Sequence, residues 1–186
     1  MSSMSPTKAK PRKTVEDYMR LPEGTRAELI EGEILMSPSP RERHQMAVLN
    51  LAALLRQHVL ATNAGRVFVA PFDVHLPDGS VVQPDVVFVA AANLAIIRDW
   101  IFGAPDLLIE VVSPEGVERD RLVKRRLYAE SGVREYWLVD PEERSVEVLV
   151  LSGAGWTPQG YFRETDVLST PALPGLALPV AEIFRG

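Results

Sequence analysis

Pro-Asp-Val-Val-Phe-Val-Ala at residues 84–90 and Asp-Leu-Leu-Ile-Glu-Val-Val at residues 106–112 are the two stretches that decide the fold. Their length and their content of Val, Ile and Leu are typical of buried β-strands. Asp85 lies near the start of the first stretch, and Glu110 lies within the second. A carboxylate on a buried strand is costly unless a counter-charge or an ion compensates it. Two such strands side by side, with a lysine nearby, predict a divalent-metal site.

The expected ligands of this site are oxygen atoms. If the two strands are neighbours, Asp85 and Glu110 lie within reach of one ion, and the peptide carbonyl of Val111 is a further ligand. Hard oxygen ligands suit Mg²⁺ or Mn²⁺. For either acid alone we favour a structural role, in which Asp85 caps a turn and Glu110 pairs with an arginine. For both together, followed by a lysine on a helix, we favour a site.

Composition and size indicate an ordinary globular protein. The chain has 186 residues, 46% of them hydrophobic and 24% charged, which is enough for one domain with a real core. It has no cysteine, which excludes disulfides, thiolate zinc sites and cysteine nucleophiles. No apolar run has the length of a membrane span, and the first residues lack the apolar core of a signal peptide. We therefore expect a cytoplasmic protein that does not enter the membrane.

The charge is unevenly distributed. The net charge is −5, yet residues 1–13 carry only basic charges. We interpret residues 1–13 as a disordered basic tail and residues 14–186 as a single domain. The acidic body argues against binding of nucleic acid by bulk electrostatics, although metal ions can neutralise phosphate locally.

Hydrophobic periodicity and turn residues predict a mixed α/β (α+β) fold with a central mixed β-sheet flanked by helices. Thr14 and Asp17 form a capping-box pattern before a first short helix. Alternation on both sides of Glu31-Gly32 predicts a tight β-hairpin. The predicted helices span residues 15–20, 41–61, 118–131 and 180–184. The predicted strands span residues 27–30, 33–36, 66–70, 73–76, 81–90, 106–112, 135–140 and 145–151, with one or two short strands near residues 161 and 167.

The predicted helix at 118–131 carries the lysine that the site needs. Lys124 has Asp120 one turn before it and Tyr128 one turn after it, all on one stripe of the helix. A lysine beside a metal-bound water can orient it or neutralise charge on a phosphate. Most of the charged run at 118–126 is expected to be a solvated face, but its basic excess also suits phosphate contact.

Other candidate residues give weaker signals. Glu31 lies at a hairpin turn, where acids are usually only solvated. His44 opens the long helix, where a lone histidine is more often a surface or capping residue than a ligand. The chain has neither a phosphate-binding glycine loop nor a Gly-x-Ser-x-Gly motif, so nucleotide-dependent enzymes and serine hydrolases lose support.

At these residues the sequence resembles the PD-(D/E)XK nuclease superfamily. More closely, it resembles a bacterial restriction endonuclease family of small proteins formerly classed as a domain of unknown function. The matching pieces are Glu-Leu-Ile-Glu-Gly-Glu-Ile at 28–34, His44, Pro84-Asp85, Leu-Ile-Glu-Val-Val-Ser-Pro at 108–114, Asp120 with Lys124 and Tyr128, and Gly-Val-Arg-Glu-Tyr-Trp-Leu-Val-Asp-Pro at 132–141.

This resemblance implies a restriction-endonuclease-like fold and Mg²⁺-dependent (or Mn²⁺-dependent) hydrolysis of phosphodiester bonds in DNA. Asp85 and Glu110 match the two metal-binding carboxylates, and Glu31 matches an additional acidic residue of the site. The superfamily pattern places lysine two residues after Glu110, where this chain has Val112. Relatives of this kind are thought to supply the lysine from the next helix, which points to Lys124.

Two other classes of function stay open. One is a catalytically inactive nuclease fold that binds nucleic acid or a partner protein. The other is an interaction protein that dimerises through exposed sheet edges. A homodimer is compatible with every one of these functions, and the sequence does not separate DNA from RNA as the substrate.

Overall fold

The computed structural model of the chain describes residues 11–113, 116 and 119–186. The helices are α1 (Val15–Met19), α2 (Glu42–Thr62), a 3₁₀-helix (Ala91–Ile96), a π-helix (Arg119–Lys124), α3 (Arg125–Glu130) and α4 (Val180–Ile183). The strands are β1 (Ala27–Ile30), β2 (Glu33–Met36), β3 (Gly65–Val69), β4 (Val74–His75), β5 (Val81–Val82), β6 (Val86–Ala90), β7 (Ile101–Phe102), β8 (Leu107–Val111), β9 (Glu135–Asp140), β10 (Ser145–Ser152), β11 (Gly155–Arg163), β12 (Val167–Leu168) and β13 (Leu178–Pro179).

A six-stranded mixed sheet forms the centre of the fold, in the order β11-β10-β9-β8-β6-β3. β8 and β9 are parallel, and the other neighbours are antiparallel. The predicted fold class, a mixed sheet flanked by helices, is therefore confirmed. β6 and β8 lie next to each other, with Val86 opposite Ile109. This pairing brings the two carboxylate-bearing stretches of the sequence side by side.

The two faces of this sheet bury different sets of apolar side chains. α2 packs on one face through Ala47, Leu51, Leu55 and Val59. α3 and a second, smaller sheet cover the opposite face, where Leu108, Leu127 and Tyr128 belong to one cluster. Alternation along β8 puts Glu110 on the same face as Leu108. Glu110 consequently points toward α3 and the small sheet.

The small sheet has the order β2-β1-β5-β4-β7. Its β1–β2 hairpin is the predicted one, and the turn residues Glu31 and Gly32 both have positive φ, +51° and +82°. Such turns match the twist of the flanking strands. A Cβ on Gly32 would lie 2.8 Å from the Cβ of Arg12, so the close approach of the N-terminal segment also requires glycine there.

The strand predicted over residues 81–90 is wrong as a single element. The structure divides it into β5, which belongs to the small sheet, and β6, which belongs to the large sheet. Pro84 lies at the division, and proline has no N–H to donate to a β-ladder. The chain therefore crosses from one sheet to the other at residues 83–85, and Asp85 immediately precedes β6 rather than lying within a strand.

Two further elements differ from the prediction. The predicted helix at 118–131 is a π-helix followed by the short α3, and residue 118 lies outside the described residues. β11 is a long edge strand, whereas the sequence predicted only a short strand near residue 161. It contains Pro158, which an edge strand tolerates because one side of its backbone is unpaired.

The structure describes only the end of the predicted basic tail. Residues 1–10 of the predicted basic tail lie outside the described residues. The N–H of Lys13 donates to the carbonyl of Gly32 at 2.7 Å, so the end of that segment contacts the hairpin. The assignment of residues 14–186 to one domain stays a prediction. Among the described residues, no helix combines the length and apolarity needed to cross a membrane.

Candidate active site

Asp85 and Glu110 lie next to each other at one end of the β6–β8 pair. The backbone N–H of Val111 donates to Oδ2 of Asp85 at 2.8 Å, which fixes the Asp85 carboxylate beside the end of β8. Asp85 is partly exposed, whereas Glu110 is buried. The structure therefore brings together the two acids that the sequence predicted as metal ligands, and it places Val111 in contact with one of them.

Lys124 reaches the same place from the neighbouring helix. Its ammonium nitrogen lies 2.9 Å from Oε1 of Glu110 and 2.9 Å from Oε1 of Glu28, and its side chain is only 3% exposed. The hydroxyl of Tyr128 donates to the same Oε1 of Glu110 at 2.7 Å. Lys124, which was predicted to take the role of the lysine that the superfamily pattern places at position 112, therefore points into the fold and not into solvent.

Two acids of this cluster were missed as candidate site residues. Glu28 on β1 is 2% exposed, and Asp120 on the π-helix is 4% exposed, with Oδ1 3.8 Å from the Lys124 nitrogen. The backbone N–H of Gln83 donates to Oε1 of Glu28 at 2.9 Å. Oε2 of Glu28 and Oδ1 of Asp120 are buried without a hydrogen-bond partner among the described residues.

A sequence signal for Glu28 did exist. By strand alternation Glu28 shares a face with Ile30, which is buried, so the face that carries Glu28 is an inward one. The sequence analysis had named Glu31, and not Glu28, as the additional acidic residue of the site. It lies outside this cluster, with its side chain 45% exposed and ion-paired to Arg126.

The π-helix supplies both Asp120 and Lys124. One turn of i→i+5 hydrogen bonds is rare, and it is often found at functional sites. Tyr136 stabilises this turn, because its hydroxyl donates to the backbone carbonyl of Asp120 at 3.1 Å. Asp120 and Lys124 are four residues apart and therefore share one face of the helix, and both side chains are buried.

Burial dominates the electrostatics of the cluster. It raises the pKa of Glu110 well above its usual range; Asp120, Asp85 and Glu28 raise it further, and Lys124 opposes them. Burial likewise raises the pKa of Asp120. Burial alone would lower the pKa of Lys124, but the nearby carboxylates of Glu110, Glu28 and Asp120 outweigh it and raise that pKa.

These residues line a cavity of about 170 Å³ that opens to the surface. His44, at the start of α2, also lines it, with Nε2 3.2 Å from Oδ2 of Asp85 and Nδ1 buried without a partner in the described part of the chain. His44 was expected to be a surface or capping residue. It is instead a largely buried contact of Asp85.

The donor chemistry of the cavity fits a hard cation. The carboxylates of Glu28, Glu110 and Asp120 lie within 3.8 Å of one buried ammonium. Negative charge is therefore in excess around Lys124, and two of these carboxylate oxygens have no hydrogen-bond partner among the described residues. Within the described residues, no set of three or more His, Asp or Glu side chains is already arranged to hold a metal ion. The reason is visible in the geometry, because the Lys124 ammonium gathers Glu28 and Glu110 around itself.

Most of the basic side chains of residues 119–126 do not line the cavity. Arg121 pairs with Asp140, Arg125 with Glu147 and Arg126 with Glu31. Only Lys124 and Arg119 of that run line the cavity. The expectation of a mainly solvated face with a local role in the site therefore agrees with the geometry.

Comparison with known proteins adds a family. Residues 15–181 match the model of the Uma2 family, described as "Putative restriction endonuclease". A solved structure, described as a putative nuclease belonging to DUF820 from Anabaena variabilis ATCC 29413, aligns with a TM-score of 0.77. It is 22% identical, and the alignment covers 92% of this chain and 97% of that one. At that identity the likeness supports the fold alone. No curated protein matches the sequence significantly.

Proposed function

Because this chain belongs to the Uma2 family, described as putative restriction endonucleases, we propose that it is a Mg²⁺- or Mn²⁺-dependent endonuclease that hydrolyses phosphodiester bonds in DNA. The observation that carries the proposal is the meeting of Asp85, Glu110 and Lys124 in one cavity, from positions far apart in the sequence. Such a buried group of acids with a lysine is costly to maintain without a purpose.

The carboxylates of Asp85 and Glu110 would hold the ion, with Glu28 as a third donor and the Val111 peptide beside them. Hard oxygen donors of this kind suit Mg²⁺. The chemistry that a bound Mg²⁺ supplies is neutralisation of phosphate charge and a lowered pKa of the attacking water. Glu31, which lies outside the cavity, is replaced by Glu28 in this proposal.

Lys124 acts as a fixed positive charge. Its pKa is raised by the surrounding carboxylates, so it stays protonated over the physiological range and does not serve as a general base. An ammonium at this position orients Glu28 and Glu110, and it can donate a hydrogen bond to a phosphodiester oxygen as negative charge develops there. Tyr128 supports it by holding the same oxygen of Glu110.

A cleavage assay tests the proposal. Supercoiled plasmid and circular single-stranded DNA are incubated with the protein in Mg²⁺, in Mn²⁺ and in EDTA. We expect nicking that depends on the divalent ion and is lost in Asp85→Asn and Glu110→Gln, with melting temperatures measured alongside. Cleavage that persists in both variants would rule the mechanism out, and single-stranded RNA in the same assay settles the choice of substrate.

The second candidate is a nuclease fold that binds DNA without cleaving it. Two observations favour this candidate. The Lys124 ammonium lies between Glu28 and Glu110, and no three potential metal ligands are grouped around one point among the described residues. Calorimetric titration with Mg²⁺ separates the two functions. An inactive site binds Mg²⁺ poorly even where DNA binding persists.

Two finer expectations stay predictions. A homodimer would supply two sites for cutting both strands of a duplex, and gel filtration with light scattering measures its mass. A cytoplasmic location is tested by fractionation of the source cells.

A further inference from the structure

The mouth of the cavity has the opposite charge to its floor. The buried part of its lining, the floor, consists of the acids Glu28, Glu110 and Asp120 with Lys124. Of the arginines in the lining, Arg26 and Arg119 are partly exposed and Arg41 is exposed, and we call these three the mouth. A polyanion that approaches such a floor is repelled unless positive charge at the mouth compensates. The whole protein, with a net charge of −5, does not provide that attraction from a distance.

Arg26 is held at the mouth by the chain on both sides of it. It immediately precedes β1, and its carbonyl accepts a hydrogen bond from the N–H of Ser37 at 2.9 Å, which ties it to the segment that leads to α2. No ion pair or hydrogen bond of its guanidinium is found within the described residues. Arg121, Arg125 and Arg126, by contrast, each pair with a carboxylate.

Arg119 also lines the cavity, and it is the first residue of the π-helix. Its side chain is 27% exposed, and its Nε is 3.8 Å from Oδ1 of Asp120, beyond hydrogen-bond distance. That Nε is buried without a hydrogen-bond partner in the described part of the chain. The guanidinium therefore keeps one unused donor beside Asp120, in the same cavity as the acids that would hold the ion.

We propose that Arg26 and Arg119 bind the phosphates that flank the scissile phosphodiester and hold the strand across the cavity mouth. The planar guanidinium fork matches two phosphate oxygens at once, which makes arginine better suited than lysine to fix a strand in one register. These contacts are positioning contacts to the backbone, so they carry no base specificity. The inference rests on the proposed function, because the strand must reach the acids below.

The test measures DNA binding separately from cleavage. Asp85→Asn serves as the parent protein so that bound DNA is not cut, and Arg26→Gln and Arg119→Gln are each added to it. Arg56→Gln is the matched control, because Arg56 is an exposed arginine on α2 that lines a different, apolar surface groove. Fluorescence anisotropy with labelled single-stranded and duplex DNA, in Mg²⁺ and at several salt concentrations, gives the affinity and its salt dependence.

We expect each variant at the mouth to bind several-fold more weakly. The slope of log affinity against log salt should also become shallower by about 0.7 for single strands or about 0.9 for duplexes, which corresponds to one lost phosphate contact. Arg56→Gln should behave as the parent does, and melting temperatures check that all variants fold. Equal slopes in all four proteins, or a parent that binds no DNA, would overturn the inference.

Failure of this inference and failure of the proposed function are distinguishable. Cleavage by the wild-type protein with unchanged slopes in the variants would overturn the role of the two arginines and leave the nuclease standing. A shallower slope of log affinity against log salt in the two variants, without any cleavage by the wild-type protein, would support the arginine contacts. It would also favour a nuclease fold that binds DNA without cleaving it.

Discussion

The ammonium nitrogen of Lys124 lies 2.9 Å from Oε1 of Glu110, and both side chains are almost completely buried. One residue comes from a helix and the other from the central sheet, so this ion pair joins two layers of the fold. A second pair of the same length links Lys124 to Glu28 on the small sheet. A single lysine therefore pairs with acids from two different sheets.

Removal of this lysine is expected to destabilise the protein strongly. Lys124→Met leaves Glu110 and Glu28 without a counter-charge, and loss of one partner of a buried pair costs about 3–5 kcal/mol. Urea unfolding measures the change. The double variant Lys124→Met/Glu110→Gln should lose less stability than the two single changes added together, since the two residues are coupled. Additive effects would show that the pair contributes little.

Glu28 and Glu31 provide a matched pair of substitutions three residues apart. Glu28→Gln changes a buried partner of Lys124 and should abolish most of the metal-dependent cleavage. Glu31→Gln changes an exposed partner of Arg126, so it should cleave like the wild-type protein and lose no more than about 1 kcal/mol of stability. Rates of plasmid nicking compare the two. If Glu31→Gln lowered the nicking rate more than Glu28→Gln, Glu31 and not Glu28 would be the additional acid of the active site.

The pH dependence of stability in EDTA follows from Glu110 and Asp120. Their pKa values in the folded protein are raised above their ordinary values of 4.5 and 3.8, mainly by burial, so the folded state binds these protons more tightly than the unfolded chain. The stability contribution of the protonated acids is present below those ordinary values and is lost as pH rises through the raised ones. Lys124 stays charged throughout this window because its folded pKa is raised as well.

We therefore expect the unfolding free energy of the wild-type protein to fall, relative to Glu110→Gln, as the pH rises from acid toward neutrality. Added Mg²⁺ should reverse this trend, because a bound cation favours the ionised carboxylates. Urea unfolding at a series of pH values, with and without Mg²⁺, measures both effects. A difference between the two proteins that stays constant with pH would contradict the assignment.

Glu135 is a buried acid with a purely structural role. It accepts hydrogen bonds from Nε1 of Trp137 at 2.6 Å and from the N–H of Ala172 at 3.1 Å, and also from the hydroxyl of Thr170. Glu135→Ala leaves these donors unpaired and should cost about 1–3 kcal/mol for each donor that stays buried. Glu135→Gln keeps an acceptor and should be milder. Thermal unfolding that does not separate the two variants would argue against this anchor for the C-terminal segment.

Local patterns predicted the elements whose determinants are local. Thr14 and Asp17 form the predicted capping box, and the hairpin turns at Glu31-Gly32 as expected. The pairing of Asp85 with Glu110 followed from two apolar runs that each carry an acid. For the capping box and the hairpin, the decisive signal lies within a few residues of the chain.

The parts that the sequence did not reveal depend on distant contacts. Residues 81–90 were predicted as one strand, because the sheet that each half of this run joins depends on partners far along the chain. Strand alternation indicated that Glu28 faces inward, but its contact with Lys124 depends on how β1 packs against the π-helix. Within the π-helix, the carbonyl of Asp120 accepts a hydrogen bond from Tyr136, a contact that no helical period encodes.

The most direct test of the central claim is a crystal soaked with Mn²⁺, with data collected to reveal anomalous scattering. We predict one anomalous peak in the cavity, with carboxylate oxygens of Asp85 and Glu110 at about 2.0–2.5 Å, the range of hard-cation bonds to oxygen. Absence of a peak there, with Lys124 still bound to both Glu28 and Glu110, would contradict the claim that these acids hold the catalytic ion.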